Sequence, residues 1–139
     1  MKEFKAKATI QATPETIGKI LTHAPGFPEW DPNVERVEGT IAPGEKITVH
    51  TKFSERAFPV NVSEFVPNQK MVWSSGMPFG LFKGERTFTL NPQEDGSTKF
   101  AVQEQFTGAL LFIIGRSIPD LSETFEQHAQ GLKNKAEAA

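Results

Sequence analysis

Apolar and polar residues alternate from Glu3 to Gln11, with Phe4, Ala6, Ala8 and Ile10 on one face and Lys5, Lys7 and Thr9 on the other. That period belongs to a strand with one buried face. The pattern changes at Thr13-Pro14-Glu15-Thr16, which reads as a helix start. Thr13 is the expected N-cap, Pro14 occupies the first helical position, and the Glu15 charge suits the helix dipole. Ile17, Ile20 and Leu21 form one apolar face, and Pro25-Gly26 ends the helix. Phe27-Pro28-Glu29-Trp30-Asp31-Pro32 predicts a short helical turn that Pro32 stops.

From Asn33 to Thr107 strand and turn signals alternate. Predicted strands run from Val34 to Ile41, Lys46 to Phe53, Phe58 to Val66, Lys70 to Ser75, Leu81 to Leu90 and Thr98 to Thr107. The turns between them include Ala42-Pro43-Gly44-Glu45, Pro67-Asn68, Gly76-Met77-Pro78-Phe79-Gly80 and the Asp95-Gly96 pair, where glycine accepts positive φ. Short connections imply antiparallel neighbours. At the C-terminus the period lengthens: Ile114, Ile118, Leu121, Phe125, Ala129, Leu132 and Ala136 recur at three- and four-residue spacing, with Ser122, Glu123, Glu126, Gln127 and Gln130 on the other side. Pro119 must start this helix or kink a longer one beginning near Leu110, and the pattern favours the kinked helix. The expected α+β fold is a seven-stranded curved antiparallel sheet with two short N-terminal helices. Its one apolar face is covered by the long C-terminal helix.

Composition narrows the function classes. A chain of 139 residues, 37% hydrophobic and 23% charged, suits one packed domain spanning residues 1–139 and not a disordered segment. Net charge is −2 and Lys and Arg are scattered, so no nucleic-acid partner is expected. Lys133 and Lys135, near the end of the last helix, are expected to satisfy its final carbonyls. The chain has no cysteine, which removes disulfides, thiolate nucleophiles and Cys-ligated metals and fits a reducing compartment. Met1 to Ile10 lacks the apolar run of a signal peptide, and Ala109 to Ile114 is too short to span a bilayer. The expectation is a cytoplasmic monomer or weak homodimer with no integral membrane segment.

A set of short motifs spread over nearly the whole chain carries a family resemblance. They are Ala12-Thr13-Pro14-Glu15, the Phe27 to Pro32 segment, Pro43-Gly44-Glu45-Lys46, and Pro67 followed by Val72-Trp73. Further along come Gly84-Glu85-Arg86-Thr87-Phe88-Thr89-Leu90, Gly96-Ser97-Thr98-Lys99-Phe100 and Glu104-Gln105-Phe106-Thr107-Gly108. In their order and spacing the chain resembles the START-like, helix-grip proteins of the SRPBCC superfamily, specifically the polyketide cyclase/dehydrase-like group. The resemblance implies a hydrophobic small molecule, lipid or polyketide-like, held in a pocket between sheet and C-terminal helix. It implies no single reaction, since relatives include lipid carriers, hormone receptors, aromatase/cyclases, dioxygenase subunits and co-chaperone domains. Arg86 stands where many relatives have His, so a mechanism resting on that histidine is not carried over.

Arg86 and Glu104 are the most informative side chains. Arg86 shares a strand face with Phe88 and Leu90, and Glu104 shares one with Phe100, Val102 and Phe106. If Leu90 lies opposite Phe100, Arg86 lies opposite Glu104; a register shift of two makes them diagonal neighbours. On one reading Arg86 holds a ligand carboxylate, phenolate or carbonyl and Glu104 orients it. On the other they form a buried salt bridge, and removing either partner costs about 3–5 kcal/mol. Neither suits acid–base work near neutrality, because Arg stays protonated and a carboxylate tied to it is a weak base.

The other candidates are aromatic or apolar. Trp73, on a face with Met71 and Ser75, lines the pocket or anchors the core, and Trp30 closes one pocket end or does the same. Met77, Phe79, Leu81 and Phe82, interrupted by Gly76, Gly80 and Gly84, form a pocket entrance or pack on the apolar segment Leu110 to Ile114. The expected pocket comprises Trp30, Phe58, Val60, Val62, Trp73, Phe79, Arg86, Phe88, Val102, Glu104, Leu121 and Phe125. His23, His50 and His128 lie in three different elements, with His128 expected near the pocket edge, and no metal-ligand spacing occurs. There is no Gly-x-Ser-x-Gly elbow and no phosphate-binding glycine loop, so neither a metal nor another cofactor is expected. The leading functional expectation is a binding module. One alternative is a cyclase- or dehydratase-type enzyme with Arg86 as electrostatic stabiliser. The other is a co-chaperone-like interaction domain using the outer sheet face or the apolar loop.

Overall fold

The structure, a computed structural model, describes residues 2–52, 54–55 and 57–139. Met1 and Phe53, the ends of two segments read from the sequence, lie outside them. The sheet strands are β1 (Lys2–Ile10), β2 (Val34–Glu38), β3 (Lys46–Thr51), β4 (Phe58–Val66), β5 (Lys70–Gly76), β6 (Lys83–Pro92) and β7 (Thr98–Thr107). They form one curled antiparallel sheet in the order β1-β7-β6-β5-β4-β3-β2. Helices α1 (Pro14–Leu21) and α2 (Phe27–Trp30) follow β1. Thr13 caps α1, its hydroxyl accepting from the Thr16 N–H at 3.2 Å. The chain ends with α3 (Leu111–Ile114) and α4 (Ser122–Glu137), and α4 packs on β1 and β7.

The alternating pattern works because pairing stacks its apolar positions into rows on one sheet face. Val62, Trp73, Arg86, Glu104 and Phe4 are successive partners across five strands. The next row runs Met71, Phe88, Val102 and Ala6, and beyond it Leu90, Phe100 and Ala8. Phe125 and Leu132 of α4 complete the core over these rows. In β4 the alternation slips at Glu64, which takes positive φ beside a register shift. That bulge turns Phe65 toward the core in place of Glu64.

Three expectations need correction. The C-terminal segment is broken, not kinked. After α3 and a tight turn at Gly115–Ser117, Ile118 is extended (ψ 118°), as the residue before a proline prefers. Asp120 then starts α4, its carboxylate accepting from the Ser122 N–H at 3.0 Å and hydroxyl at 2.7 Å. The Lys2 ammonium donates to the Gly115 and Ile118 carbonyls at the break. Second, β2 stops at Glu38, before Gly39 with φ 106°, and β6 starts at Lys83, because Pro78–Gly80 forms a tight turn. Third, Lys133 and Lys135 do not serve the last carbonyls of α4. Lys133 donates to the Thr9 carbonyl at 2.7 Å, and Lys135 reaches Glu29.

Candidate functional site

Two polar pairs interrupt the apolar core, one on the sheet face and one between α2 and α4. In the first, Arg86 Nε donates to Glu104 Oε1 at 2.7 Å. The Arg86 side chain is 27% exposed and that of Glu104 16%, so the pair reaches the edge of the core without being sealed. The guanidinium lies over the Phe125 ring, 4.7 Å from its centroid. Aromatic contacts continue outward from Phe125 to Phe4, then to Phe106, then to Phe82 just before β6. Among the described residues, Nε is the one Arg86 nitrogen with a hydrogen-bond partner.

The second pair was not legible as such. Asp31 (3% exposed) and His128 (4% exposed) meet with Oδ2 and Nδ1 2.7 Å apart. Asp31 follows the last residue of α2, where Oδ1 accepts from the Asn33 N–H at 3.0 Å. His128 comes to it because α4 runs directly over α2: a Cβ on Gly131 would lie 1.9 Å from the Trp30 carbonyl oxygen, so only glycine allows this approach. Burial is the largest influence on Asp31 and opposes ionisation. The His128 hydrogen bond and charge, the Asn33 N–H and the Arg86 charge outweigh it, holding the carboxyl below the usual aspartate value. For His128 burial is again largest and it prevails, keeping the ring below the ordinary histidine value against the pull of Asp31. At neutral pH the pair is therefore a carboxylate and a neutral imidazole. A carboxylate only accepts, so the proton sits on Nδ1 and Nε2 carries a lone pair.

Among the described residues Nε2 is buried without a partner, as are the indole N–H groups of Trp30 and Trp73. These three atoms belong to one aromatic cluster. Trp30 contacts His128 at 5.0 Å and Phe27 at 4.8 Å; Trp73 contacts Phe27 at 5.7 Å and Phe88 at 4.9 Å; Phe88 closes the ring on His128 at 5.8 Å. Each unpaired buried polar atom costs about 1–3 kcal/mol.

Of the expected pocket residues, Trp30, Val62, Trp73, Phe88, Val102 and Phe125 share this core, and Val60 and Leu121 pack partly buried against it. Arg86 and Glu104 form its polar edge. Phe58 is exposed on β4, and Phe79 stands 98% exposed on a left-handed turn, apart from the rest. A cleft of about 150 Å³ lies between α1 and the β4–β5 turn, with Met71, Phe88 and Leu90 in its wall; it does not include Arg86 or His128. Among the described residues no three His, Asp or Glu could hold a metal ion, and no helix is long and apolar enough to cross a membrane. The overlooked signal was positional. His128 lies three residues after Phe125 and four before Leu132, on the apolar stripe of its helix.

The fold is shared with solved structures of low sequence identity. A START superfamily protein from Mycobacterium smegmatis superposes with a TM-score of 0.71 at 17% identity, over 98% of this chain and 97% of that one. The Aha1 dimer protein from Colwellia psychrerythraea gives 0.73 at 20% identity, over 99% and 97%. The di-domain ARO/CYC BexL from the BE-7585A biosynthetic pathway gives 0.73 at 13% identity, over 99% of this chain and 47% of BexL. At these identities the likeness concerns fold alone. No curated protein sequence matches this chain. A family model does, over residues 1–137: the chain belongs to the family described as polyketide cyclase / dehydrase and lipid transport.

Proposed function

We propose that this domain binds a small, mainly apolar or aromatic molecule, lipid or polyketide-like, between the sheet and α4, with Arg86 holding its one anionic or strongly polar group. The observation that carries this reading is the placement of Arg86. It sits on an apolar sheet face, braced by Glu104 through Nε and by the Phe125 ring, with its terminal nitrogens unpaired and its side chain partly exposed. A charged group so arranged orients a ligand in an apolar site. Val62, Trp73, Phe88, Val102 and Phe125 form the apolar wall, Trp30 and Leu121 the ends, and Phe58 and Val60 the outer rim on β4. Phe79 belongs to the entrance loop. The membership in a family named for cyclases, dehydrases and lipid transport supports the ligand class.

The wall residues pack on one another in the core, so ligand entry needs α3 and the β5–β6 loop to move. Those segments expose Met77, Phe79, Phe112 and Ile113, and the break at Ile118–Leu121 uncouples them from α4. Native mass spectrometry of gently purified protein, followed by extraction, tests the reading. A bound small molecule that is lost in Arg86→Ala is expected. A bare chain that also fails to bind oleate or β-naphthoate would overturn it.

A further inference from the structure

Exposed apolar side chains concentrate at the end of the sheet where β6 begins. Among the described residues seven large apolar side chains are exposed, and five of them lie here: Met77, Phe79 and Leu81 on the β5–β6 loop, Phe112 and Ile113 on α3. We propose that this patch docks the domain on the surface of an anionic phospholipid bilayer. Phe79, Phe112 and Ile113 enter the boundary between headgroups and acyl chains, and Lys83 and Arg116 meet the lipid phosphates. The proposal goes beyond the pocket reading and stands whether or not a ligand is held.

The loop and α3 form one surface. The Leu110 N–H donates to the Leu81 carbonyl at 2.9 Å. Gly108, with φ 119°, lets the chain pass so close that a Cβ there would lie 2.5 Å from the same oxygen. At the loop tip Phe79 takes a left-handed backbone (φ 61°, ψ 20°), which costs energy in a residue with a Cβ, and its side chain is almost wholly exposed. Nothing within the domain packs on that ring to offset the cost. In α3, Leu111 packs partly buried against the core, whereas Phe112 is 71% exposed and Ile113 57%.

Size and charge select the occupant. The five side chains expose on the order of 500 Å². A stable protein partner, a second copy included, covers about 800 Å² on each side. A lipid interface has no such threshold and accepts protruding side chains one by one. Residues 76–84 and 108–118 together carry two charges, Lys83 and Arg116, and no acid. Arg116 is exposed and has no ion pair among the described residues. Lys2, held on the Gly115 and Ile118 carbonyls, adds a third cation at this end. The acids that flank the two segments in sequence are engaged: Glu85 pairs with Lys83 at 3.2 Å and Asp120 caps α4. Apolar side chains edged by cations suit an anionic bilayer surface.

The chain has no cysteine, so Phe79→Cys and Glu94→Cys each accept one environment-sensitive dye at a defined place. Glu94 lies in the β6–β7 turn, at the opposite end of these strands. With phosphatidylcholine vesicles containing phosphatidylglycerol, the dye at position 79 is expected to brighten and shift to the blue, and the dye at position 94 to stay unchanged. In cosedimentation the wild-type chain should bind these vesicles, and pure phosphatidylcholine vesicles about 10-fold more weakly. Phe79→Ser combined with Phe112→Ser should weaken binding about 10-fold or more. No vesicle binding, equal binding to both kinds of vesicle, or binding that the double variant leaves intact overturns the proposal. So does an equal dye response at the two positions. A lipid-free dimer that the double variant dissociates assigns the patch to a second copy and overturns it as well. Should the double variant fail to fold, the dye comparison decides. None of these outcomes bears on the ligand site, which the extraction experiment tests separately.

Discussion

Asp31→Ala probes the centre of the structure most sharply. The substitution removes a charge-assisted hydrogen bond to His128 at 2.7 Å, a class of bond worth about 1.5–3 kcal/mol. It also leaves the His128 Nδ1–H without a partner, at about 1–3 kcal/mol, and the Asn33 N–H without its acceptor. Removing a carboxylate that burial disfavours returns part of this. The expected net loss is about 3 kcal/mol, at the lower end of the range for breaking a buried pair. The double variant Asp31→Leu, His128→Phe removes both partners and fills the space with apolar groups, so it should be close to wild-type stability or above it. Urea unfolding followed by the fluorescence of Trp30 and Trp73, with His128→Phe completing the cycle, measures the coupling. A loss below about 1 kcal/mol for Asp31→Ala would refute a formed, buried pair, as would losses that simply add to within about 0.5 kcal/mol.

The same pair sets an acid sensitivity. The folded-state pKa of His128 is depressed, so the unfolded chain binds the extra proton: this contribution is complete above about pH 6.5 and declines as pH falls from there through the folded value. Asp31, also depressed, adds a second decline beginning near about pH 4. Its slope is at most about 1.4 kcal/mol per pH unit per group, and His128→Phe should abolish the upper decline in unfolding titrations. Gly131→Ala should destabilise by about 1–3 kcal/mol by overpacking against the Trp30 carbonyl, whereas helix propensity alone would favour Ala by about 1 kcal/mol, so the sign of the change in a urea titration decides between them. Phe79→Ser should leave stability within about 0.5 kcal/mol, because the side chain is exposed, and should slow ligand uptake in stopped-flow fluorescence if the loop is the entrance.

Much of the fold was written in local periodicity. The two-residue period located β7 at Thr98–Thr107 and implied its pairing with β6 but left the register open by two residues; the structure pairs Leu90 with Phe100 and so Arg86 with Glu104. Features with a local cause but no local pattern were harder to read. The Glu64 bulge is one residue of slippage inside a regular strand. At Pro119 the seven apolar positions kept one helical phase on both sides of the break, so the period concealed the extended Ile118. Asp31 and His128 lie 97 positions apart in sequence, and their meeting depends on α4 crossing α2 at Gly131. Nothing near either residue encodes that crossing. The apolar stripe around His128 did encode its burial, which is why a histidine on a core-facing stripe is worth more than its distance from other histidines.

A ligand held between the sheet and α4 would meet Arg86 at its polar end and both tryptophans along its apolar part. A heteronuclear NMR titration with β-naphthoate examines this directly through the indole N–H groups of Trp30 and Trp73 and the Nε–H of Arg86, assigned by substitution. All three signals should shift together and saturate, and Arg86→Ala should weaken binding about 10-fold or more, as expected for a charge-assisted contact worth about 1.5–3 kcal/mol. Shifts confined to the cleft beside α1, with the Trp73 and Arg86 signals unmoved, would contradict it.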